Sequence, residues 1–288
     1  MSVGDFEGAG VRNIAKVGAG LATVVLAMAV GLPSAAAAVT SGTIGADISY
    51  PQCSATGGAP SEPSAGSAAF GIVGVDNGRP GAANSCLAAE YQWASALPGS
   101  PALYVNTADP GNTVADWPTG AIAGGPQNPY GPCVTVRSRG KLAGADSQAC
   151  AFEYGVEQAD NDLRFAAAAG ASTTSWWLDV EAANTWQKRR LLDLNQAVLD
   201  GMDRTFTASG TGPTVGVYST AYQWGTIVGT LTGAALGDLG AVPQWIPTGG
   251  SSEAAAAADC SGTSLPRFDQ GPLTFVQYTT SFDYDYAC

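Results

Sequence analysis

Short runs rich in β-branched and aromatic residues alternate along this chain with stretches of helical periodicity. This alternation favours βα units around a parallel sheet, because parallel strands need a long crossover connection that is usually a helix. Seven strands are predicted, at residues 43–49, 70–76, 101–107, 176–181, 214–219, 242–246 and 273–279. Helices are predicted at residues 86–97, 150–169, 189–209 and 221–228. The pattern therefore indicates an α/β fold of the irregular (β/α)8 TIM-type barrel class.

Two parts of the chain do not fit this regular alternation. The eighth strand lies in the Gly-, Ser- and Ala-rich stretch 249–266, or else the barrel is irregular there. The segment 109–149 is long and rich in Gly and Pro. Because a loop of that length in a compact domain usually has a function, we expect this segment to contribute to a site.

The N-terminus has the pattern of a signal peptide. Arg12 and Lys16 precede an apolar run that ends near Leu32, and a string of small residues ends at Ala38. The apolar run is short for a membrane span and has no basic stop-transfer flank. We therefore expect residues 1–38 to be removed and residues 39–288 to form a single secreted domain, possessing no membrane anchor after cleavage.

Six cysteines in an exported chain are typical of three disulfides that staple its loops. Their spacing leaves the connectivity open, and pairing of sequence neighbours is favoured because each bridge then closes a loop of modest length. The expected bridges are Cys53–Cys86, Cys133–Cys150 and Cys260–Cys288. None of these cysteines has the C-x-x-C spacing of a redox or zinc site.

The sequence contains no histidine, which excludes several catalytic classes. Ser-His-Asp and Cys-His nucleophiles, H-E-x-x-H zinc sites and histidine-ligated metals are all ruled out. Acid and base catalysis is left to Asp, Glu or Tyr, and glycoside hydrolysis is the reaction most commonly run on carboxylates alone. We expect no metal and no organic cofactor.

The charge balance points away from polyanionic partners. There are 12 Lys and Arg residues against 24 Asp and Glu residues. A surface with a net negative charge repels nucleic acid and anionic lipid, so neither is expected as a partner. We expect the protein to be a monomer that binds a cell-wall glycan or another polysaccharide.

Carboxylates recur where the predicted strands end, which is where barrel enzymes place their chemistry. Asp179 and Glu181 end the fourth strand and, two residues apart, point to the same face. If Asp179 stays ionised, its charge holds Glu181 protonated, as a general acid requires. The alternative is that this pair caps a loop or pairs with Arg79 or Arg189. Asp47 ends the first strand and is the third catalytic candidate, with a simple turn residue as the alternative.

Further polar and aromatic residues near strand ends are candidates for substrate binding, although the aromatic ones are more often core residues. Asp76 starts a strong Asp-Asn-Gly turn and is favoured as a structural residue. Asp283 and Asp285 follow the last predicted strand, where a surface role is equally consistent. The substrate-binding candidates are Asp76, Asn106, Tyr218, Trp245, Gln277, Tyr278, Asp283 and Asp285.

Several of these segments resemble, in order, the motifs of family 25 glycoside hydrolases (lysozymes, or muramidases). IGADIS resembles the family's opening G-x-D-x-S, and WWLDVE its D-x-E on the fourth strand. VGVYST, PQWIP and FVQYTTSFDYDYAC resemble its later strand motifs. The chain also resembles a related branch of secreted glycoside-hydrolase-like proteins of high-GC Gram-positive bacteria.

This resemblance implies an irregular barrel that cleaves the bacterial cell-wall glycan after N-acetylmuramic acid. It implies that Glu181 is the general acid, that Asp179 positions or polarises the substrate acetamido group, and that Asp47 is a supporting carboxylate. Asp283 or Asp285 matches the family's closing aspartate. The substrate's own acetamido oxygen then serves as the nucleophile, one of the exceptions to the two-carboxylate scheme.

The chain departs from the family pattern after Trp245. Ile246, Pro247 and Thr248 stand where family members usually have a small residue and an aspartate. An alternative function therefore remains, a non-catalytic glycan-binding domain that keeps the barrel. A weaker alternative is a structural envelope protein in which the carboxylates only hold loops together.

Overall fold

The computed structural model describes residues 39–53, 59–64, 66–111, 116–138, 141–143, 147–210 and 212–288. The predicted signal peptide, residues 1–38, lies outside this part of the chain. Within it, no helix is both long enough and apolar enough to cross a membrane.

Eight strands close into a barrel. The barrel strands are β1 (Ile44–Ile48), β2 (Phe70–Gly74), β3 (Ala102–Asn106), β6 (Ser175–Asp179), β7 (Thr214–Tyr218), β8 (Gln244–Gly250), β9 (Leu273–Thr279) and β10 (Asp283–Ala287). Their order around the barrel is β1-β10-β9-β8-β7-β6-β3-β2. Seven of them run parallel, while β10 is antiparallel to both of its neighbours. A separate two-stranded sheet, β4 (Val136–Ser138) and β5 (Lys141–Ala143), lies in the long segment after β3. The predicted α/β barrel is confirmed, including its irregularity.

Within the described residues, six α-helices follow or join the strands. They are α1 (Leu87–Ser95), α2 (Gln148–Ala168), α3 (Leu192–Ala208), α4 (Ala221–Ile227), α5 (Gly233–Leu239) and α6 (Glu253–Ser261). Short 3-10 turns lie at Tyr50–Gln52 after β1 and at Arg189–Leu191 before α3. The Ser147 side chain accepts a hydrogen bond from the backbone N–H of Cys150, an N-cap that explains where α2 begins. The four predicted helices are confirmed.

The eighth strand lies outside the stretch where the sequence analysis sought it. Residues 253–261 form α6, and the barrel is closed instead by β10 at the C-terminus. Asp283 and Asp285 therefore belong to the last strand, and the expectation that they follow it is wrong. The alternation of Asp and Tyr over residues 283–286 has the period of two that a strand requires.

Alternate residues of each strand face the inside of the barrel. An apolar cluster fills its interior, and it consists of Phe70, Ile72, Ala102, Trp177, Trp245, Phe275 and Ala287. These large rings are accommodated by glycines on neighbouring strands, since a Cβ at Gly45 would lie 2.2 Å from the Phe70 ring and one at Gly216 would lie 2.4 Å from the Trp177 ring. The interior is thus packed solid, and any site must lie above it.

Helices α2 and α3 pack tightly against each other on the outside of the barrel. A Cβ at Gly155 would lie 2.0 Å from the carbonyl oxygen of Val198, and one at Gly201 would lie 2.2 Å from that of Phe152. The two glycines therefore allow a backbone-to-backbone approach that any side chain would prevent. Buried apolar residues of α3, such as Leu199, complete this layer.

Three disulfides join the same cysteines that the sequence analysis pairs. Cys53–Cys86 ties the segment after β1 to the start of α1, Cys133–Cys150 ties the long segment after β3 to the start of α2, and Cys260–Cys288 ties α6 to the C-terminus. Their Cα atoms lie 5.8, 4.6 and 5.3 Å apart, within the range that a disulfide needs. The expected connectivity is confirmed.

Candidate active site

Polar side chains gather at one end of the barrel interior, where the parallel strands end and the antiparallel β10 begins. Asp47 of β1 lies opposite Asp283 of β10, and Asn106 of β3 lies opposite Asp179 of β6. The next strand brings Tyr218 beside Asp179. Residues far apart in sequence therefore meet at a single mouth, above the apolar cluster.

Asp179 is one of the buried acids of this mouth. Its side chain is buried, and one carboxyl oxygen, Oδ2, accepts a hydrogen bond of 2.6 Å from Nδ2 of Asn106. The other oxygen, Oδ1, has no hydrogen-bond partner within the described part of the chain. Burial raises the pKa of Asp179 well above its ordinary value, and the nearby charge of Glu181 adds to this effect. The protonated form of Asp179 is therefore favoured more strongly than that of an ordinary aspartate.

Glu181 lies just beyond the end of β6 and is partly exposed. Its Oε1 accepts a hydrogen bond of 3.2 Å from Nε2 of Gln223, while its backbone oxygen accepts one of 2.8 Å from Nε1 of Trp186. The ion pairs among the described residues are those of Arg204 with Asp200 and Asp238, so no arginine neutralises Glu181. The alternative pairing with Arg79 or Arg189 is not observed.

Asp47 and Asp285 form a second pair of interacting carboxyl groups. Nε2 of Gln277 donates to Oδ2 of Asp47 at 2.8 Å, and Nε1 of Trp245 donates to Oδ1 of Asp285 at 2.8 Å. Desolvation inside the barrel, reinforced by the charge of Asp283, raises the pKa of Asp47 to about 7. The pKa of the fully buried Asp285 is raised well above its ordinary value, first by desolvation and then by Asp47.

A hydrogen-bonded chain links this pair to the opposite side of the mouth. The hydroxyl of Tyr218 donates to Oε1 of Gln277 at 2.9 Å, and Gln277 in turn donates to Asp47. The Tyr218 ring packs edge-on against Trp245, with ring centroids 4.6 Å apart. Asp47, Gln277 and Tyr218 are thereby held in one arrangement, as a preorganised site requires.

Two aromatic candidates do not face the mouth. The Trp245 side chain is 2% exposed and belongs to the interior cluster, so its ring offers no stacking surface. Tyr278 packs on the outside of the barrel with Ile246 and Ala256, and it stacks on Tyr284 at 5.7 Å. Both residues were proposed from sequence as substrate contacts. Trp245 is instead buried in the barrel interior, and the strand pleat turns Tyr278 to the outside.

Two acidic candidates take different positions. Asp283 is partly exposed at the start of β10, where its Oδ1 accepts a 2.6 Å hydrogen bond from the Thr279 hydroxyl. Asp76 is buried, and its Oδ2 accepts a 2.9 Å hydrogen bond from the backbone N–H of Asn106. Desolvation raises the pKa of Asp76 to about 7. Asp76 is thus a structural support under Asn106, the interpretation that its turn signal favoured.

The sequence analysis missed two residues of this region. Gln223 of α4 holds Glu181, and its Oε1 also accepts from the backbone N–H of Ala182 at 2.6 Å. Asp162 lies in the middle of α2 and is completely buried against Asp76. Neither residue lies at a strand end. An acidic residue within the otherwise apolar face of a predicted helix was the only available signal for Asp162.

One group of potential metal ligands lies away from the mouth. Sulfur atoms of Cys53 and Cys86 and a carboxylate oxygen of Glu90 lie within 4.8 Å of one another. The two sulfur atoms are joined in a disulfide, so they do not act as thiolate ligands.

Comparison with known proteins gives only distant likenesses. No protein-family model and no curated protein matches the chain. Its fold is similar to the catalytic domain of the endolysin ply40 from bacteriophage P40 of Listeria monocytogenes, at 14% identity and a TM-score of 0.45 over 85% of this chain and 93% of that one. It is also similar to two proteins of Streptococcus pneumoniae. The modular autolysin LytC has 12% identity and a TM-score of 0.46, over 84% of this chain and 45% of that one. The glycosyl hydrolase 25 GHIP has 12% identity and a TM-score of 0.44, over 84% of this chain and 85% of that one. Likenesses of this degree assign neither a family nor an activity to this chain.

Proposed function

We propose that this protein is a secreted glycoside hydrolase that cleaves peptidoglycan or another N-acetylated polysaccharide by carboxylate acid–base catalysis. The observation that carries the proposal is the pairing of two acids in opposite environments at the barrel mouth. Asp179 is buried and its pKa is raised, whereas Glu181 is partly exposed and has no arginine partner among the described residues. Two carboxyl groups whose environments differ in this way are typical of glycosidase sites.

The motifs quoted above supply a role for each acid. Glu181 donates a proton to the glycosidic oxygen as the bond from that oxygen to C1 of the sugar breaks. The acetamido oxygen of the same sugar forms the new bond to C1, and the Glu181 carboxylate then takes a proton from the water that opens this cyclic intermediate. Asp179, steadied by Asn106, hydrogen-bonds the acetamido group through its second oxygen, Oδ1.

The chain from Tyr218 through Gln277 to Asp47 forms the other wall of the pocket. These groups are already hydrogen-bonded to one another, so they need little reorganisation when a sugar binds. Asp47 supports the pocket and does not transfer a proton to the substrate. Asp283, at the rim, offers a partly exposed carboxylate to a sugar hydroxyl.

The second candidate is a glycan-binding domain without catalysis. The residues after Trp245, Ile246 to Thr248, contain no carboxylate, and this departure from the family pattern favours the second candidate. Both candidates bind glycan in the same mouth, and they differ only in whether Glu181 transfers a proton.

Release of reducing ends from purified peptidoglycan by the oxidised protein distinguishes these candidates. We expect hydrolysis by the natural protein and a loss of at least about 100-fold in Glu181→Gln, because a positioned general acid contributes about 10²- to 10⁴-fold. Glu253→Gln, an exposed glutamate at the start of α6, is the matched control and should keep full activity. If the natural protein cosediments with the wall but releases no reducing ends, the binding domain is the correct function.

A further inference from the structure

The side-chain amide of Gln223 contacts Glu181 in a single orientation. Its Oε1 accepts a 2.6 Å hydrogen bond from the backbone N–H of Ala182, and its Nε2 donates to Oε1 of Glu181 at 3.2 Å. A backbone N–H can only donate, so the amide oxygen must face Ala182 and the amide nitrogen must face Glu181. The contact with Ala182 therefore makes Gln223 a hydrogen-bond donor to Glu181.

Gln223 is itself held in place by the first turn of α4. The Thr220 side chain accepts a 3.1 Å hydrogen bond from the backbone N–H of Gln223 and thereby caps this helix. The next residue of α4, Trp224, is buried and packs on Phe268, with ring centroids 5.0 Å apart. The amide thus reaches Glu181 from an anchored helix, which positions a side chain more precisely than a loop does.

Glu181 is held at its backbone as well as at one carboxyl oxygen. Its backbone oxygen accepts hydrogen bonds from Nε1 of the buried Trp186 at 2.8 Å and from the backbone N–H of Asn184 at 3.2 Å. The second carboxyl oxygen, Oε2, has no hydrogen-bond partner among the residues that the structure describes. An amide donor favours the carboxyl oxygen that carries no proton, so the proton of a protonated Glu181 belongs on Oε2.

We propose that Gln223 is a positioning residue for the general acid, holding Oε1 of Glu181 so that Oε2 presents its proton to the glycosidic oxygen. The proton moves to that oxygen as the bond from the oxygen to C1 breaks, and the bonding electron pair leaves with the oxygen. The negative charge that remains on Glu181 strengthens the hydrogen bond from Gln223, because a charged acceptor binds an N–H more tightly than a neutral one. Gln223 therefore affects kcat rather than KM. This role rests on the proposed function, since it requires Glu181 to transfer a proton.

Two substrates distinguish help to the general acid from a general loss of structure. The leaving sugar of solubilised peptidoglycan needs a proton, whereas the nitrophenolate of a nitrophenyl glycoside of an N-acetylated sugar leaves without one. We expect Gln223→Met, which has a similar length but no amide, to lower kcat on peptidoglycan about 10- to 100-fold with KM unchanged. The loss of kcat on the nitrophenyl glycoside should be much smaller. Gln92→Met, at an exposed glutamine of α1, is the matched control and should behave as the natural protein does on both substrates.

Gln223→Glu separates the donor to Glu181 from the contact with Ala182. This variant keeps an oxygen for the N–H of Ala182 but replaces the amide nitrogen by a second oxygen, so at neutral pH the donor is lost. We expect kcat on peptidoglycan to fall as it does in Gln223→Met, while the melting temperatures and far-UV circular dichroism show that both variants are folded. Full kcat in Gln223→Glu would mean that only the contact with Ala182 matters, and equal losses on both substrates would mean a general loss of structure. Either result would overturn the inference.

Glu181→Gln distinguishes a failure of this inference from a failure of the proposed function. If Glu181→Gln loses hydrolysis of peptidoglycan while Gln223→Met keeps the natural kcat, Glu181 is the acid and only the role of Gln223 is wrong. If the natural protein hydrolyses neither substrate, the proposed function is wrong and the role of Gln223 is overturned with it.

Discussion

Asp76 and Asp162 form a buried carboxyl pair that makes the stability of this protein depend on pH. Asp76 is 1% exposed and Asp162 is 0% exposed, and burial raises the pKa of both carboxyl groups. Desolvation raises the pKa of Asp76 from 3.8 to about 7, so the folded protein keeps the Asp76 proton over a range in which the unfolded chain has lost it.

The sign and size of the effect follow from this difference. Between the unfolded and folded pKa values the folded state binds more protons, so the free energy of unfolding falls as pH rises and levels off above about pH 7. One retained proton is worth about 1.4 kcal/mol per pH unit. From pH 5 to pH 8 the titration of Asp76 therefore lowers the free energy of unfolding by roughly 3 kcal/mol.

Asp76→Asn tests this reasoning, because the amide oxygen still accepts the hydrogen bond from the backbone N–H of Asn106 but the side chain no longer titrates. We expect the fall in unfolding free energy between pH 5 and pH 8, measured by urea denaturation, to be smaller in the variant by roughly 3 kcal/mol. Asp160→Asn, at a partly exposed position of α2, should keep the natural slope. An equal pH dependence in Asp76→Asn and the natural protein would refute the raised pKa of Asp76.

Two further predictions concern packing and cross-linking. Gly201→Ala should destabilise the fold by about 2 kcal/mol or more in urea denaturation, because its Cβ would lie 2.2 Å from the carbonyl oxygen of Phe152. Gly225→Ala in α4, whose Cβ meets nothing within 4 Å, should be neutral or slightly stabilising, and equal losses in both variants would contradict the close helix contact. Replacing Cys260 and Cys288 together by serine should lower the free energy of unfolding by about 3 kcal/mol, since their bridge spans 28 residues. An unchanged melting temperature without reductant would show that the C-terminal strand needs no covalent tie.

Local patterns in the sequence were sufficient to predict most strands and helices. A strand such as Thr214–Tyr218 is recognisable because its β-branched residues and the glycines before it act over a few residues. The position of Asp179 at a strand end is equally local. The closing strand was missed because β10 pairs antiparallel to β9 and β1, a geometry that the βα pattern does not contain.

The chemical state of the candidate site could not be predicted in the same way. The pKa of a carboxyl group depends on how far it is removed from water and on which charges surround it. For Asp76 the largest cause is desolvation, and an interacting neighbour is Asp162, far along the chain on α2. For Asp47 the nearby groups are Gln277 and Asp283 at the other end of the sequence. Sequence spacing alone did not show that burial raises the pKa of Asp179.

The sequence by itself excluded catalysis through histidine whatever the fold, and it showed acids where the predicted strands end. It also determined the local elements, which depend on neighbouring residues. Only the tertiary structure decided that Trp245 is buried, that the pKa of Asp179 is raised, and that the C-terminal strand closes the barrel. These properties arise from contacts between residues distant in sequence, and such contacts exist only once the barrel has closed.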